Sequence, residues 1–536
     1  MRTRKDHRLT TKLSSLANVK SLAVMTGVVA ACAAALGGAC GDAQPVTSGA
    51  GGAGGLTSSA GGMGTGGEDL SVVAGSVTVG STSSSSSSSS GTPPRCMFSS
   101  PTGGGTKTAA AYGDTAIQTG NSITVDKSGN VIMAGAFGGT INFGGTTLTS
   151  AGGDDAFIAK FNSGGQLLWA KEYGDGKGQN IGGVGTDGNG NIYITGNFTG
   201  SINFGGGALT AAGTLFTDVF VAKLTADGNH VWSKSFGDDE VQNSYGLAVD
   251  AASNVIIAGS FKKTIGFGGG TLNAGGSFVD VFVAKFNGDG AHQWSRQYGV
   301  ATSDQIARAV AADAAGNIYV GGEVAESIDF GGGSKSVTTT KSAFVAKLDS
   351  LGNAAWVNLS DGDANSIGVV NSVAVGPNGE VAAGGYFKGM FDLGGMPVSS
   401  IGTDDAFITL FAAGGSHTVT KVFGDAEQQE VVSLAFAPNG EVFAAGDFSG
   451  AIDFETGMAF TSTGASDGFV VRLNANGCPA WLKTFTGPMG QLPKALAFDP
   501  TTSGVAVTGQ FIGASDFGTG VTMSAGIDAF LVSVNP

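Results

Sequence analysis

One phrase recurs along most of this chain and restricts the folds that are open to it. The segment GDDAFIAKFNSGGQLLWAKEYGD at 153–175 returns with small changes at 217–238 and 279–299, and in weaker copies as far as the C-terminus. A Gly-x-Phe glycine and an Asp-x-Phe phenylalanine each recur at steps of 61 to 63 residues: Gly135, Gly196, Gly259, Gly322, Gly385, Gly446 and Gly509, and Phe157, Phe220, Phe282, Phe344, Phe407, Phe469 and Phe530. Seven copies of such a unit predict a repeat architecture in which each unit packs on its neighbours.

Each copy has the composition of four short strands separated by turns. β-branched and aromatic residues fill the strands, and Gly, Asn and Asp mark the turns. The strands are often apolar on both faces, as in AFIAKF at 156–161, which is typical of a sheet packed between two other sheets. In the second copy the predicted strands are 184–187, 192–198, 219–224 and 230–236, with a glycine-rich loop at 205–213.

The two ends of the chain predict that the repeats close into a ring. The seventh copy stops at 529–536 without a fourth strand, whereas TAAAYGD at 108–114 matches the fourth-strand ending WAKEYGD at 169–175. An N-terminal strand that completed the last sheet would remove the free edges of an open array. The sequence therefore predicts an all-β fold, a seven-bladed β-propeller of four-stranded blades over 96–536.

The repeats also resemble a known family. DKSGNVIMAGAF at 126–137 and DAAGNIYVGGEV at 313–324 are similar to the SBBP-type repeats of bacterial seven-bladed β-propellers. The resemblance implies this fold over about 107–536 and implies no common reaction. Copies five to seven depart from it: GPNGE at 376–380 and APNGE at 437–441 replace Asp-x-x-Gly-Asn, and Val419 replaces a tryptophan.

The N-terminus predicts export from the cytoplasm. A basic region, an apolar run and small residues over 1–39 have the layout of a bacterial signal peptide. LGGAC ending at Cys40 resembles a lipoprotein box, with Cys32 as the alternative lipidation site. A Gly/Ser-rich segment at 40–95 has the composition of a flexible tether. We expect an extracytoplasmic protein, lipid-anchored at the bacterial outer membrane or secreted, that meets the membrane only through the lipid anchor.

The net charge excludes two classes of binding partner, and the cysteine content predicts one disulfide. Without residues 1–39 the chain carries 21 basic and 41 acidic residues, so its surface repels nucleic acid and anionic lipid. After processing at Cys40, only Cys96 and Cys478 remain. Cys96 precedes the ring-closing strand and Cys478 lies in blade six, next to the blade that this strand completes. An extracytoplasmic pair at that position predicts a disulfide.

Aspartate is the one repeated residue that could bind a ligand. One series stands two residues before the anchor phenylalanine, at Asp155, Asp218, Asp280, Asp405, Asp467 and Asp528, and another ends the fourth strand at Asp114, Asp175, Asp238 and Asp425. Both should reach the same rim, where carboxylates cap turns. Binding of Ca²⁺ by the first series is the alternative, and no cofactor is otherwise implied.

Histidine, glycine and tryptophan have structural interpretations. His230, His292 and His417 are predicted in the turn before the fourth strand, in three different blades, too far apart to share a metal ion. The Phe-Gly-Gly-Gly segments lack the lysine and the helix of a phosphate-binding loop. All five tryptophans lie 12 residues after an anchor phenylalanine, on the predicted outermost strand, where they should pack between blades.

The absence of a catalytic constellation from the sequence favours a binding function. We expect a monomeric, envelope-anchored, non-catalytic scaffold that presents a loop face to a protein or glycan. The alternative is an extracytoplasmic polysaccharide hydrolase or lyase acting at the propeller rim. Two carboxylates and a basic residue unique to one blade, near the central mouth, would favour the enzyme.

Overall fold

Antiparallel pairing of consecutive strands makes each repeat one four-stranded sheet. The computed structural model describes Cys96 and residues 103–536, and in each sheet the first strand lies at one edge and the fourth at the other. The first strands contact one another in succession, and that of the last sheet contacts that of the first. The predicted seven-bladed, four-stranded propeller is therefore confirmed.

The first strand in the chain is β1 (Thr106–Tyr112). Blade 1 contains β2 (Gln118–Val125), β3 (Val131–Phe137), β4 (Thr140–Asn142), β5 (Thr147–Thr149), β6 (Asp155–Phe161) and β7 (Leu167–Tyr173). Blade 2 contains β8 (Gln179–Thr186), β9 (Ile192–Phe198), β10 (Ser201–Asn203), β11 (Ala208–Thr210), β12 (Asp218–Leu224) and β13 (His230–Phe236). Blade 3 contains β14 (Gln242–Val249), β15 (Val255–Lys262), β16 (Thr264–Gly266), β17 (Thr271–Asn273), β18 (Val279–Phe286) and β19 (His292–Tyr298).

The remaining blades follow the same order of strands. Blade 4 contains β20 (Gln305–Ala312), β21 (Ile318–Val324), β22 (Ser327–Ile328), β23 (Lys335–Ser336), β24 (Ser342–Leu348) and β25 (Ala354–Leu359). Blade 5 contains β26 (Ile367–Val375), β27 (Val381–Lys388), β28 (Met390–Phe391), β29 (Val398–Ser399), β30 (Asp405–Phe411) and β31 (His417–Phe423). Blade 6 contains β32 (Gln429–Phe436), β33 (Val442–Phe448), β34 (Ala451–Ile452), β35 (Phe460–Thr461), β36 (Asp467–Leu473) and β37 (Pro479–Phe485). Blade 7 contains β38 (Gln491–Phe498), β39 (Val505–Asp516) and β40 (Val521–Val534), completed by β1.

Two details of the predicted repeat were wrong. The segment 205–213 contains part of a short hairpin, β10 paired with β11, rather than only a loop. The first strand of blade 2 begins at Gln179 rather than at residue 184. Its first half, Gln-Asn-Ile-Gly-Gly, belongs to the innermost strand of the ring, where polar side chains and glycine replace the hydrophobic pattern that identifies a strand.

The N-terminal strand closes the ring as predicted. β1 pairs with β40 from Thr106 opposite Val534 to Tyr112 opposite Ala529, and so serves as the fourth strand of blade 7. A disulfide joins Cys96 to Cys478 across a Cα–Cα distance of 5.5 Å. The predicted signal peptide, Cys40, Cys32 and the tether up to residue 95 lie outside the described residues. In the described part of the chain, no helix is long and apolar enough to cross a bilayer.

The hydrophobic core lies between the blades. Between blades 1 and 2, Ile132 and Ile158 from one sheet meet Ile194 and Phe220 from the next, and all four side chains are fully buried. Burying one such side chain contributes about 1.5–3 kcal/mol. A blade on its own would expose both apolar faces, so this core exists only in a complete ring.

Removing the disulfide should loosen the closure of the ring. Cys96→Ser frees a loop with a sequence separation of 382 residues, and should lower the free energy of unfolding by about 2–4 kcal/mol. Urea unfolding followed by tryptophan fluorescence measures the change. Reductant should shift the wild-type protein to the variant's midpoint and leave the variant unchanged; equal midpoints without reductant would contradict the prediction.

Candidate functional site

The aspartates that follow the fourth strands hold the connections between blades. Asp175 Oδ1 accepts hydrogen bonds from Lys177 N and Gln179 Nε2, both at 2.8 Å, while Oδ2 accepts from Ser201 N at 2.7 Å and Ser201 Oγ at 2.9 Å. Burial opposes ionisation, but these hydrogen bonds outweigh it and lower the pKa of Asp175. The same arrangement recurs at Asp114, Asp238 and Asp425. Donors of the protein itself thus surround these carboxylates, as expected of turn capping.

A glutamine that the sequence analysis missed completes this clamp. Gln179 is almost fully buried at the start of β8, and its Nε2 donates to Asp175 Oδ1 and to Thr199 O at 3.0 Å. Its Oε1 accepts from Asp175 N at 3.2 Å. The signal was present in the sequence, because a glutamine follows each of the four clamp aspartates by four residues: Gln118, Gln179, Gln242 and Gln429.

The second aspartate series reaches the same rim and meets this clamp. Asp155 Oδ2 accepts from Ala151 N at 2.9 Å, whereas Oδ1 is buried and accepts no hydrogen bond from a described residue. A Cβ atom on Gly174 would lie 2.5 Å from both Asp155 Oδ1 and Gln179 Oε1, so glycine is required there. Burial raises the pKa of Asp155. The other members lie on the third strands of five further blades: Asp218, Asp405 and Asp467 at the first residue, Asp280 at the second, and Asp528 within the long strand β40.

Nothing in this geometry gathers several ligands around one cation. Each aspartate of the second series faces the glutamine or loop at its own blade junction. Within the described residues, no three His, Cys, Asp or Glu side chains are grouped so that they could hold a metal ion. Ca²⁺ prefers six to eight oxygen ligands, a number that a single carboxylate cannot approach.

The histidines are the first residues of the fourth strands rather than members of the preceding turn, and for His230 this agrees with the strand predicted at 230–236. His230 is the first residue of β13, and its Nε2 lies 3.1 Å from Ser233 Oγ. A Cβ atom on Gly206, at the tip of the β10–β11 hairpin, would lie 2.1 Å from the ring carbon Cε1. His292 and His417 repeat these contacts in blades 3 and 5. The Phe-Gly-Gly-Gly segment of blade 2 is therefore a hairpin tip that packs on a histidine.

The tryptophans connect each outer strand to the following blade, which agrees with the predicted packing role. Trp169 Nε1 donates to Ala226 O in the turn between the third and fourth strands of blade 2, at 3.3 Å. Trp232, Trp294 and Trp356 make the equivalent bonds to Gly288, Ser350 and Ala413. Trp481 is instead fully buried, close to Gly103 and Gly104 before β1.

Blade 6 carries a pair of carboxylates on its two innermost strands. Glu430 of β32 lies directly opposite Asp447 of β33 in the strand register. Ser466 Oγ donates to Asp447 Oδ2 at 2.9 Å, and Asn371 Nδ2 of blade 5 donates to Glu430 Oε2 at 3.3 Å. Burial and the charge of Glu430 raise the pKa of Asp447, and Lys494 of blade 7 opposes this. Two carboxylates and a basic residue, unique to one junction, are the combination that would favour an enzyme.

A groove opens on the face of the ring opposite the aspartate clamps, where a turn joins the first and second strands of each blade. We call this the turn face. The groove has a volume of about 720 Å³ and extends over blades 4 to 7. Phe436 and Phe498 line it together with Pro377, Pro438 and Pro500. Asp313 and Lys347 of blade 4 are its charged members.

Departures from the repeat occur at three of the four blade turns that line the groove, those of blades 5 to 7. In blade 1 the same turn carries a buried ion pair, Lys160 Nζ to Asp126 Oδ2 at 3.1 Å, and Lys285 pairs with Asp250 in blade 3 at 2.9 Å. In blades 5 to 7 a proline is the second residue after the end of the first strand: Pro377, Pro438 and Pro500. The Gly-Pro-Asn-Gly-Glu and Ala-Pro-Asn-Gly-Glu segments were therefore the signal for the groove.

These features define the chain as a seven-bladed β-propeller whose blades are built from one repeat. The SBBP family, a beta-propeller repeat, matches residues 293–323, which confirms the resemblance found in the sequence. No curated protein matches the sequence. Among solved structures, the WD40 domain of Pan2 from Neurospora crassa is similar, with 9% identity, 82% of this chain and 98% of that chain covered, and a TM-score of 0.43.

Breaking one clamp should cost stability without involving a metal. Asp175→Ala leaves the buried amide of Gln179 without one acceptor and frees the Ser201 donors, so the free energy of unfolding should fall by about 2–4 kcal/mol. Thermal unfolding of the wild type should give the same midpoint with Ca²⁺ and with chelator. A midpoint raised by Ca²⁺ in the wild type and not in Asp155→Asn would contradict this and restore the aspartate series as a Ca²⁺ site.

Proposed function

We propose that this chain is a non-catalytic binding and scaffolding module that holds a segment of a partner protein in the turn-face groove. The observation that carries the proposal is the groove itself, whose volume of about 720 Å³ is that of an ordinary ligand pocket, about 300–1,000 Å³. Its two phenylalanines and three prolines favour an apolar peptide segment over a glycan, since a glycan would need polar partners along its length.

The proposal extends to where the module is held. The signal-peptide layout of 1–39 and the lipoprotein-like Cys40 support an anchor in the bacterial outer envelope, with 40–95 as the tether. The disulfide supports a firm attachment of that tether, since Cys96 is joined to Cys478 in the turn before β37. Tension on the tether would then act on a cross-linked position rather than on the free end of β1.

The groove can be blocked from an exposed position without disturbing the core. Ala315 lies in the first turn of blade 4, is exposed, and lines the groove; Ser128 holds the same place in blade 1 and does not line this groove. Peptides selected from a displayed library on the wild-type protein should bind Ala315→Trp at least about tenfold more weakly, a difference of about 1.4 kcal/mol.

Ser128→Trp should bind those peptides as the wild type does. Isothermal titration calorimetry on the selected peptides provides the affinities for all three proteins. Failure to enrich any peptide, or equal affinities for Ala315→Trp and the wild type, would remove the support for the groove as the binding site.

A second candidate function follows from the carboxylate pair of blade 6. Glu430 and Asp447, with Lys494 from the next blade, bring together an acid, a base and a cation at a position that no other junction repeats. Paired carboxylates carry out general acid and base catalysis in glycoside hydrolysis. We propose polysaccharide hydrolysis or elimination as the activity that this group would support.

The enzyme hypothesis predicts a measurable product. Incubation with a panel of neutral and acidic polysaccharides should release reducing ends, or unsaturated ends that absorb in the ultraviolet. Glu430→Gln should lower the rate by about 10²–10⁴-fold, the usual contribution of a general acid or base. Glu427→Gln, an exposed residue outside the pair, is the matched control and should retain full activity. Release that survives Glu430→Gln, or no release by the wild type, argues against the enzyme.

A further inference from the structure

Asp280 differs from the other third-strand aspartates in how its carboxyl group is held. Asp155, Asp218 and Asp405 each accept a hydrogen bond from a backbone N–H. Asp280 Oδ2 instead accepts from the side-chain Nε2 of Gln297. Asp280 is 1% exposed, and among the described residues no Lys, Arg or His forms an ion pair with it. Lys262, on the adjacent strand, is paired with Glu240 at 3.1 Å.

The other oxygen of Asp280 faces a second acceptor. Oδ1 is buried and accepts no hydrogen bond from a described residue. A Cβ atom on Gly299 would lie 2.7 Å from Asp280 Oδ1 and 2.7 Å from Gln305 Oε1. Both oxygens therefore border the same point beside the Gly299 backbone, within 2.7 Å of it.

The orientation of the Gln305 amide is fixed by its own hydrogen bonds. Nε2 donates to Ser303 Oγ at 2.8 Å and to Ser327 O at 3.0 Å, and Oε1 accepts from Val300 N at 3.3 Å. Exchanging the amide atoms would point the NH₂ group at a backbone N–H and the oxygen at a backbone carbonyl. Gln305 must therefore present its oxygen to Asp280, and two buried acceptors remain opposed without a donor.

We propose that Asp280 is a carboxylic acid at mildly acidic pH, and that its proton is a hydrogen-bond donor to Gln305 Oε1. The proton supplies the donor that the site lacks, so it joins the start of β18 to the connection that enters blade 4. Loss of the proton leaves a buried anion facing a carbonyl oxygen, which loosens the 299–305 connection. The junction between blades 3 and 4 is thus a pH-sensitive latch.

The electrostatic surroundings of Asp280 also favour its protonated form. Burial raises the pKa of Asp280 to about 6; the hydrogen bond from Gln297 opposes this, and the charge of Asp304 adds to it. This junction also lacks the aspartate that clamps the junctions at Asp175 and Asp238, since Val300 occupies its position. Arg296 of β19 and the Lys262–Glu240 pair are the other charged groups on the strands that flank the site.

The sign of the pH dependence follows from the raised pKa. The folded state binds the proton more tightly than the unfolded chain, where an aspartate titrates at about 3.9. The stability that the proton contributes is therefore complete below about pH 4, is lost as the pH rises through about 6, and is absent above that range.

The titration of Asp280 can be observed directly on the full chain. Carbon-13 NMR of protein labelled at aspartate Cγ, assigned with Asp280→Asn, should show a midpoint of about 6 for Asp280 and lower midpoints for the clamp aspartates. Asp280→Asn should melt at a higher temperature than the wild type at pH 8 and not at pH 4.5, because its NH₂ group supplies the donor at every pH.

Asp175→Asn, at a clamp aspartate whose pKa is lowered, is the control and should lose stability at pH 8. Hydrogen exchange at 299–305 should accelerate in the wild type between pH 5 and 8, after correction for the intrinsic rate, and stay constant in Asp280→Asn. A midpoint near 4 for Asp280, or equal melting behaviour of wild type and Asp280→Asn over the whole range, would overturn the proposal. Such a result would indicate an ionised carboxylate hydrated by water.

Discussion

Burial of both faces of every sheet is the constraint on which the rest of this structure depends. Strands such as Asp155–Phe161 are buried at all seven positions, so a blade has no face that tolerates water. An open array would leave two such faces exposed at its ends. Pairing β1 with β40 and seating the last blade against the first removes those ends, and the outer tryptophans and the disulfide then hold a ring that hydrophobic burial already requires.

Closing a ring of apolar sheets leaves the loops with polar groups that must be satisfied. The aspartate and glutamine of each clamp meet this need, because a single carboxylate can accept up to four hydrogen bonds and can so tie together three segments of chain. Where the clamp is complete, as at Asp175, the carboxylate is stabilised in its charged form. Asp280 Oδ1 and Gln305 Oε1 are opposed acceptors, as Asp155 Oδ1 and Gln179 Oε1 are at the junction between blades 1 and 2, and a proton on the carboxyl group satisfies both. What sets Asp280 apart is that its junction has no clamp aspartate and that its Oδ2 accepts from a side chain rather than from a backbone N–H.

The sequence predicted most of the fold because the fold is periodic. The spacing of Phe157 and its copies is independent of local propensity, so seven blades and ring closure could be read without knowing any single strand well. The short hairpins and the first half of β8 were missed, because neither has a hydrophobic pattern of its own. The clamp glutamines were equally periodic and could have been found. The pairing of Glu430 with Asp447 could not, since it depends on the register of two strands.

The departures from the repeat concentrate in one sector of the ring, and both candidate sites lie on the same strands. β32 carries Glu430 of the carboxylate pair at its second residue and ends at Phe436 in the groove; β38 carries Lys494 at its fourth residue and ends at Phe498. A ligand at either end would therefore contact residues that are separated only by the length of one inner strand. Blades 1 to 3 retain the ion-paired turns. Since the core already requires the complete ring, substitutions in blades 5 to 7 could accumulate at both ends of the inner strands without weakening the packing between sheets. A binding function could diverge from the repeat at these positions.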